Sequence, residues 1–237
     1  MGPLDHDTAA VRLSAAAEEA WAVSPLASCT PALAENLLSD AREVTLGPGA
    51  TFYRGTHHAE TEKLGLVVTG LLRTFRRSLD GRQVTLRYAG PGRLIGLPAV
   101  LGGGAGAEGQ ALLESQVLVL SASRFRAVAR RDPDLAWAVA EHLADIVRHL
   151  SDNLSSHLFL PMRSRVAHHL LDMASAEGDR LVVRSSHQDL ADAVGSVREV
   201  VSRTLRELTS AGYISRENGV LVINDPNSLH GVTLGVV

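Results

Sequence analysis

Ser186 to Leu208 reads SHQDLADAVGSVREVVSRTLREL. Apolar residues at Leu190, Ala191 and Val194, and again at Val201, Leu205 and Leu208, recur at the spacing that puts side chains on one face of a helix. Gly195 stands between the two sets, so the stretch reads as two short helices joined by a tight turn. Ser196 with Glu199 fits the capping box, in which a serine hydroxyl and an acidic side chain close a helix N-terminus reciprocally; Ser186 with Asp189 is a weaker version for the first helix. The polar side of the second segment carries Arg198, Glu199, Ser202, Arg203 and Arg206. In a helix-turn-helix the start of the second helix enters the major groove of DNA, and these are side chains that read base edges there. Three arginines on a helix are equally compatible with a solvated face, so the flanking sequence decides.

Downstream, Ala211-Gly212-Tyr213-Ile214 ends the helix, and Ile214 to Ile223 alternates around Asn218-Gly219, the strongest short hairpin signal. A helix-turn-helix followed by a hairpin is a winged helix. VGSVREVVSRTLREL followed by GYISRENGVLVI resembles the C-terminal domain of the Crp/Fnr family of bacterial transcription regulators.

Composition fits two domains. The chain has 237 residues and a formal charge of -3, so DNA affinity would rest on local clustering of arginine rather than on the total. Cys29 is the sole cysteine. That excludes an intrachain disulfide, a thiolate-only zinc site and the cysteine-ligated iron-sulfur cluster of the Fnr branch. Residues 1–20 lack a basic start with an apolar core, and no run approaches the roughly 18 apolar residues of a membrane span. A cytoplasmic protein without a membrane partner is expected.

The N-terminal half reads as β structure cut by glycine. Leu64 to Val68, Leu71 to Phe75, Val84 to Tyr88 and Gln116 to Leu120 are short apolar stretches separated by Gly70, Asp80-Gly81 and Gly90-Pro91-Gly92, the spacing of a sandwich or barrel. GATFYRG (49–55), Val68-Thr69-Gly70 and Asp80-Gly81-Arg82-Gln83 resemble turns of the same family's cyclic-nucleotide-binding jelly roll. The expected fold is therefore α+β: an N-terminal extension (1–34), an antiparallel jelly-roll sensor (35–132), a long dimerisation helix with hinge (133–160) and a winged-helix reader (161–237).

Pro133 suits the first turn of that long helix, and the residue before Pro161 is pushed out of the α region, ending it. Ala136, Val139, Leu143, Ile146, Leu150, Asn153 and His157 form an a/d seam, which implies a second copy of the chain, with Asn153 fixing register. A second stripe, Leu135, Val147, Leu154 and Leu158, is free to pack on the same chain's barrel. One amphipathic helix internal to a monomer is the alternative.

The resemblance spans roughly residues 35–225 and assigns base reading to Arg198, Glu199 and Arg203, with Ser202 matching a serine added in the Fnr branch. An arginine fork suits guanine O6 and N7, and a carboxylate accepts from the cytosine amino group. Ser186, Gln188 and Arg206 are placed for phosphates. The resemblance also implies double-stranded DNA and RNA polymerase as partners and no catalytic residues.

The sensor departs from the family. Cyclic-AMP-binding members hold the phosphate with a Gly-Glu pair and, about ten residues later, an Arg-Ser pair; here Gly96-Leu97 and Gly102 to Gln110 stand there, with Gly106 and, from the long helix, Leu150 completing the candidate effector pocket. No Lys or Arg lies between Arg93 and Arg124, and an uncompensated phosphodiester is costly to bury. Cyclic AMP is disfavoured and the effector stays unknown. Gas-sensing family members bind haem through histidine, and ten histidines, including His57, His58, His142, His149 and His157, keep haem open. A cupin-like metal enzyme is the remaining alternative, through His57, His58, Glu60 and Glu62; adjacent strand residues face opposite ways, which makes a poor chelate outside a turn, and no metal site is expected.

Overall fold

The computed structural model describes residues 13–54, 63–78, 81, 83–103, 106–178 and 180–233. Its elements are α1 (Ala15–Ala22), a 3-10 turn (Pro25–Ser28), α2 (Pro31–Leu38), β1 (Arg42–Leu46), β2 (Thr51–Tyr53), β3 (Leu64–Thr69), β4 (Leu72–Arg77), β5 (Gln83–Ala89), β6 (Leu94–Ile95), α3 (Leu97–Gly102), β7 (Glu108–Ala111) and β8 (Ser115–Leu120). There follow α4 (Ala122–Ala129), α5 (Pro133–Phe159), α6 (Met162–Asp172), β9 (Ser175–Glu177), β10 (Arg180–Val183), α7 (His187–Ala193), α8 (Arg198–Ser210), β11 (Ile214–Glu217), β12 (Val220–Ile223) and α9 (Pro226–Thr233). The chain divides into two compact units, residues up to 72 with 89–145, and 73–88 with 146 onward.

In the first unit an antiparallel sheet runs in the order β1-β8-β3-β6, and β2 pairs antiparallel with β7. β3 explains its own uninterrupted apolar sequence. Leu64, Leu66 and Val68 pack with helical Leu26, Leu37, Phe125, Leu135 and Val139, whereas Val67 joins Phe52, Tyr53 and Val117 inside the roll. A strand covered on both faces loses polar alternation. Gly65 occurs there because a Cβ would stand 2.6 Å from Val117 Cγ1 and 2.7 Å from Phe52 Cζ. Residues 13–34 are more than an extension: α1 and the 3-10 turn bury Ala17, Ala20 and Leu26 in this core.

The second unit joins residues 73–88 to the C-terminal part of α5, to α6 and to the winged helix. Asn153 Nδ2 donates to the Leu86 carbonyl at 2.8 Å. The wing forms as its sequence demands: Asn218 and Gly219 have φ of 47° and 83° between β11 and β12, the conformation an Asn-Gly hairpin turn requires. β10 and β9, which the sequence reading left out, extend the wing to a four-stranded sheet, order β11-β12-β10-β9. Leu190, Ala191, Val194, Val201, Leu205 and Leu208 are all buried.

α5 runs from Pro133 through 27 residues to Phe159, just short of Pro161, and its apolar stripes differ in exposure. Val139 and Ile146 are each only 5% exposed within the single chain, Leu143 packs against the first unit's core, and Asn153 and His157 are half-buried. Ala136 and Leu150 of the same series are exposed. Of the second stripe only Leu135 is buried; Val147, Leu154 and Leu158 are 61%, 61% and 66% exposed. Together with Trp137, Ala140, Ala144 and Ser151, also exposed, they make an a/d series displaced by one residue, a rotation of about 100° around the axis. Leu150, at 37% exposure, borders it. Among the described residues no helix is long and apolar enough to cross a membrane.

Candidate nucleic-acid interface

α7 begins with a complete capping box. Ser186 Oγ accepts from the Asp189 amide at 3.0 Å, and the Asp189 carboxylate accepts from the Ser186 amide at 3.1 Å and from its hydroxyl at 2.7 Å. The box expected at Ser196 and Glu199 does not form. Gly195 turns the chain at φ 64°, and the Ser196 amide donates to the Ala191 carbonyl at 2.9 Å. Helix α8 therefore starts one residue later, with Val197 as an N-cap that makes no side-chain bond. Glu199 is consequently not consumed as a cap.

Arg198, Glu199, Arg203 and Arg206 are exposed along α8, and Ser202 is half-buried among them. Their spacing puts them along one side, opposite buried Val201, Thr204, Leu205 and Leu208. Arg206 Nε donates to the Ser202 carbonyl at 3.3 Å. The residues expected at phosphates are bound locally: the Ser186 hydroxyl serves the cap, and Gln188 Nε2 donates to Asp192 at 2.8 Å.

Three residues that the sequence reading passed over join this face. Arg163, at the start of α6, shares a groove of about 620 Å³ with Arg203, Arg206, Glu207 and Ser210; its guanidinium lies 5.8 Å from the Tyr213 ring centre. His187 Nδ1 is 2.7 Å from Ser202 Oγ, and Arg216 Nη1 in β11 is 3.1 Å from His187 Nε2. Burial first, then the charges of Arg216 and Arg198, hold the His187 pKa below the usual histidine value, so the ring is neutral at neutral pH.

The candidate effector residues are less coherent. Leu97 is fully buried in the first unit's core, so its side chain faces protein. Gly96 has φ 88°, and a Cβ would collide with the Lys63 carbonyl; backbone crowding accounts for this glycine without a ligand. Gly106 has φ 56° in the same unit, whereas Leu150 belongs to the second unit. Arg73 is 3% exposed, donates to Gln83 Oε1 at 2.6 Å and stacks 4.6 Å from the Phe75 ring centre. His57, His58, Glu60, Glu62 and Arg82 lie outside the described residues. Among those described, no group of three or more His, Cys, Asp or Glu is placed to hold a metal ion. His157 Nδ1 is 2.8 Å from the Asn153 carbonyl.

Residues 43–132 match the cyclic nucleotide-binding domain model and residues 164–232 the Crp-like helix-turn-helix domain model. The cyclic AMP receptor protein of Thermus thermophilus is 31% identical over 176 residues, 74% of this chain and 81% of that one. The chain belongs to the Crp/Fnr family of transcription regulators. The structure of FixK2 from Bradyrhizobium japonicum superposes with a TM-score of 0.73 at 25% identity, covering 81% of this Crp/Fnr protein and 96% of FixK2. A Crp/Fnr-family regulator of Thermus thermophilus gives 0.68 at 25% identity, covering 81% and 98%. As a Crp/Fnr protein the chain is a transcription regulator with a DNA-binding helix-turn-helix domain, and the enzyme alternative is set aside by that membership.

Proposed function

We propose that this regulator acts as a homodimer on a palindromic DNA site, with α8 of each protomer in the major groove and half-sites about one helical turn apart. Arg198, Glu199, Ser202 and Arg203 read bases, Arg206 and Arg163 meet phosphates, and the bound regulator acts on RNA polymerase in the bacterial cytoplasm. The observation that carries this reading is the exposed row Arg198, Glu199 and Arg203 on one side of α8, with Glu199 released from capping by the Val197 start. Selection of sites from a randomised DNA pool, repeated with Arg203→Ala and Glu199→Ala, tests it. Each variant should lose about 1–3 kcal/mol on the selected site and far less on random DNA. Equal losses on both would reduce these residues to backbone contacts.

For the sensor we propose an effector other than cyclic AMP. Residues 94–123 contain no Lys or Arg, Leu97 is turned into the core, and Arg73 is engaged with Gln83 and Phe75. These residues do not offer the compensating charge that an anionic cyclic phosphodiester needs when buried.

A further inference from the structure

His187 does not belong to the row that faces bases, yet it touches both the recognition helix and the wing. Its Nε2 lies 3.1 Å from Arg216 Nη1 and its Nδ1 2.7 Å from Ser202 Oγ. A guanidinium can only donate. Nε2 must therefore be the accepting nitrogen, which puts the ring proton on Nδ1 and makes that nitrogen a donor to Ser202. The hydroxyl, having accepted, keeps its own proton to give.

We infer that His187, held in this tautomer by Arg216, is a positioning residue that leaves Ser202 its proton to donate to DNA and so biases which base Ser202 selects. The inference rests on the proposed reading of α8. A serine with a free rotor serves donor and acceptor base atoms alike. One that accepts from Nδ1 keeps its proton for guanine O6 and N7, adenine N7 or thymine O4, which a serine spending its proton on Nδ1 cannot meet. Specificity at this base pair is thus biased by a side chain that contacts no base, with the wing arginine completing the relay.

Arg216 has a further consequence. Without a donor at Nε2 the imidazole is free to take its other tautomer, in which Nδ1 accepts and Ser202 spends its proton on it. Lysine at position 216 would still donate; alanine would not. Asparagine at position 187 places its amide near the Nδ1 position, where either amide atom can meet Ser202, so contact survives without fixed polarity.

Site selection from a randomised half-site pool, with binding to individual sequences by the full-length protein, tests this. Ser202→Ala first identifies the base position whose preference depends on Ser202. At that position alone, His187→Ala, His187→Asn and Arg216→Ala should each lose discrimination by about fivefold, the factor a net hydrogen bond supplies, and Arg216→Lys should keep it. His187→Ala should add nothing once Ser202 is alanine. Thermal melting confirms that the variants are folded, and His187→Asn keeps the test open if the alanine variant is not. A loss spread evenly over all sequences, or none, in the His187 variants would overturn the inference while Arg203→Ala still abolishes selectivity. If Arg203→Ala also leaves selectivity intact, the reading of α8 fails and the inference falls with it.

Discussion

The Tyr88 hydroxyl lies 3.0 Å from Nδ1 of His169, joining β5 to the last turn of α6. A protonated phenol can donate or accept, so the tautomer of the His169 ring decides the direction of this bond. Burial, followed by the charges of His168, His157 and Arg165, pushes the His169 pKa down to about 3.

That depression gives a pH dependence with a definite sign. The unfolded histidine, with a pKa near 6.5, binds a proton that the folded one refuses. His169 therefore favours the fold fully above pH 6.5, and its contribution falls as pH drops from about 6.5 toward 3, by up to about 1.4 kcal/mol per pH unit. Denaturant unfolding at a series of pH values should show the wild type losing stability faster than His169→Asn, which keeps an amide near the Nδ1 position for Tyr88. Parallel curves would mean that His169 titrates in the fold as it does in the unfolded chain.

Exchanging the roles of the two α5 stripes makes a prediction that separates association from folding. Leu154→Glu with Leu158→Glu, both on the exposed row, should convert a dimer to a folded monomer by light scattering and weaken binding to a palindromic site. Ile146→Glu should instead lower the melting temperature sharply, by burying an unpaired carboxylate. A dimer that survives the Leu154 and Leu158 changes would place the interface elsewhere.

Ser186→Ala should cost about 1 kcal/mol in chemical denaturation, because it removes the acceptor for the Asp189 amide at the start of α7. Ser196→Ala should cost much less, since Val197 caps α8 without a side chain. The reverse order would restore the capping box at Ser196.

Cyclic AMP at physiological concentration should neither raise the melting temperature nor tighten DNA binding, since a ligand shifts an equilibrium only by binding one state better. Micromolar binding by calorimetry coupled to tighter operator binding would show that a cation reaches the phosphate after all.

The winged helix was legible because its signals are local: six apolar positions at helical steps, a glycine for the turn, and Asn218-Gly219 for the wing. The four apolar stretches of the sensor half correspond to β3, β4, β5 and β8. The phase of α5 was not legible. Apolar residues occupy two neighbouring stripes one residue apart, and periodicity gives a spacing without saying which stripe meets Phe125 and Leu64 and which meets solvent. Nor could sequence choose between Ser186 and Ser196 as caps, since both precede an acidic residue by three; the bond from the Ser196 amide to Ala191 decides. The α1 region hid in alanines too small to mark a core face. His187, Arg163 and Arg216 were missed because their partners lie 15 to 50 residues away in the chain, where no periodicity connects them.

The second unit is assembled from two separated pieces of chain, 73–88 and 146 onward, with 57 residues of the first unit between them. A ribosome makes residues 73–88 long before α6 exists, so Tyr88 and the Leu86 carbonyl gain these partners only once His169 and Asn153 emerge. The reader is accordingly among the last parts of the nascent chain able to settle. A fragment cut at Pro161, although it carries the whole helix-turn-helix, would leave His169 without Tyr88.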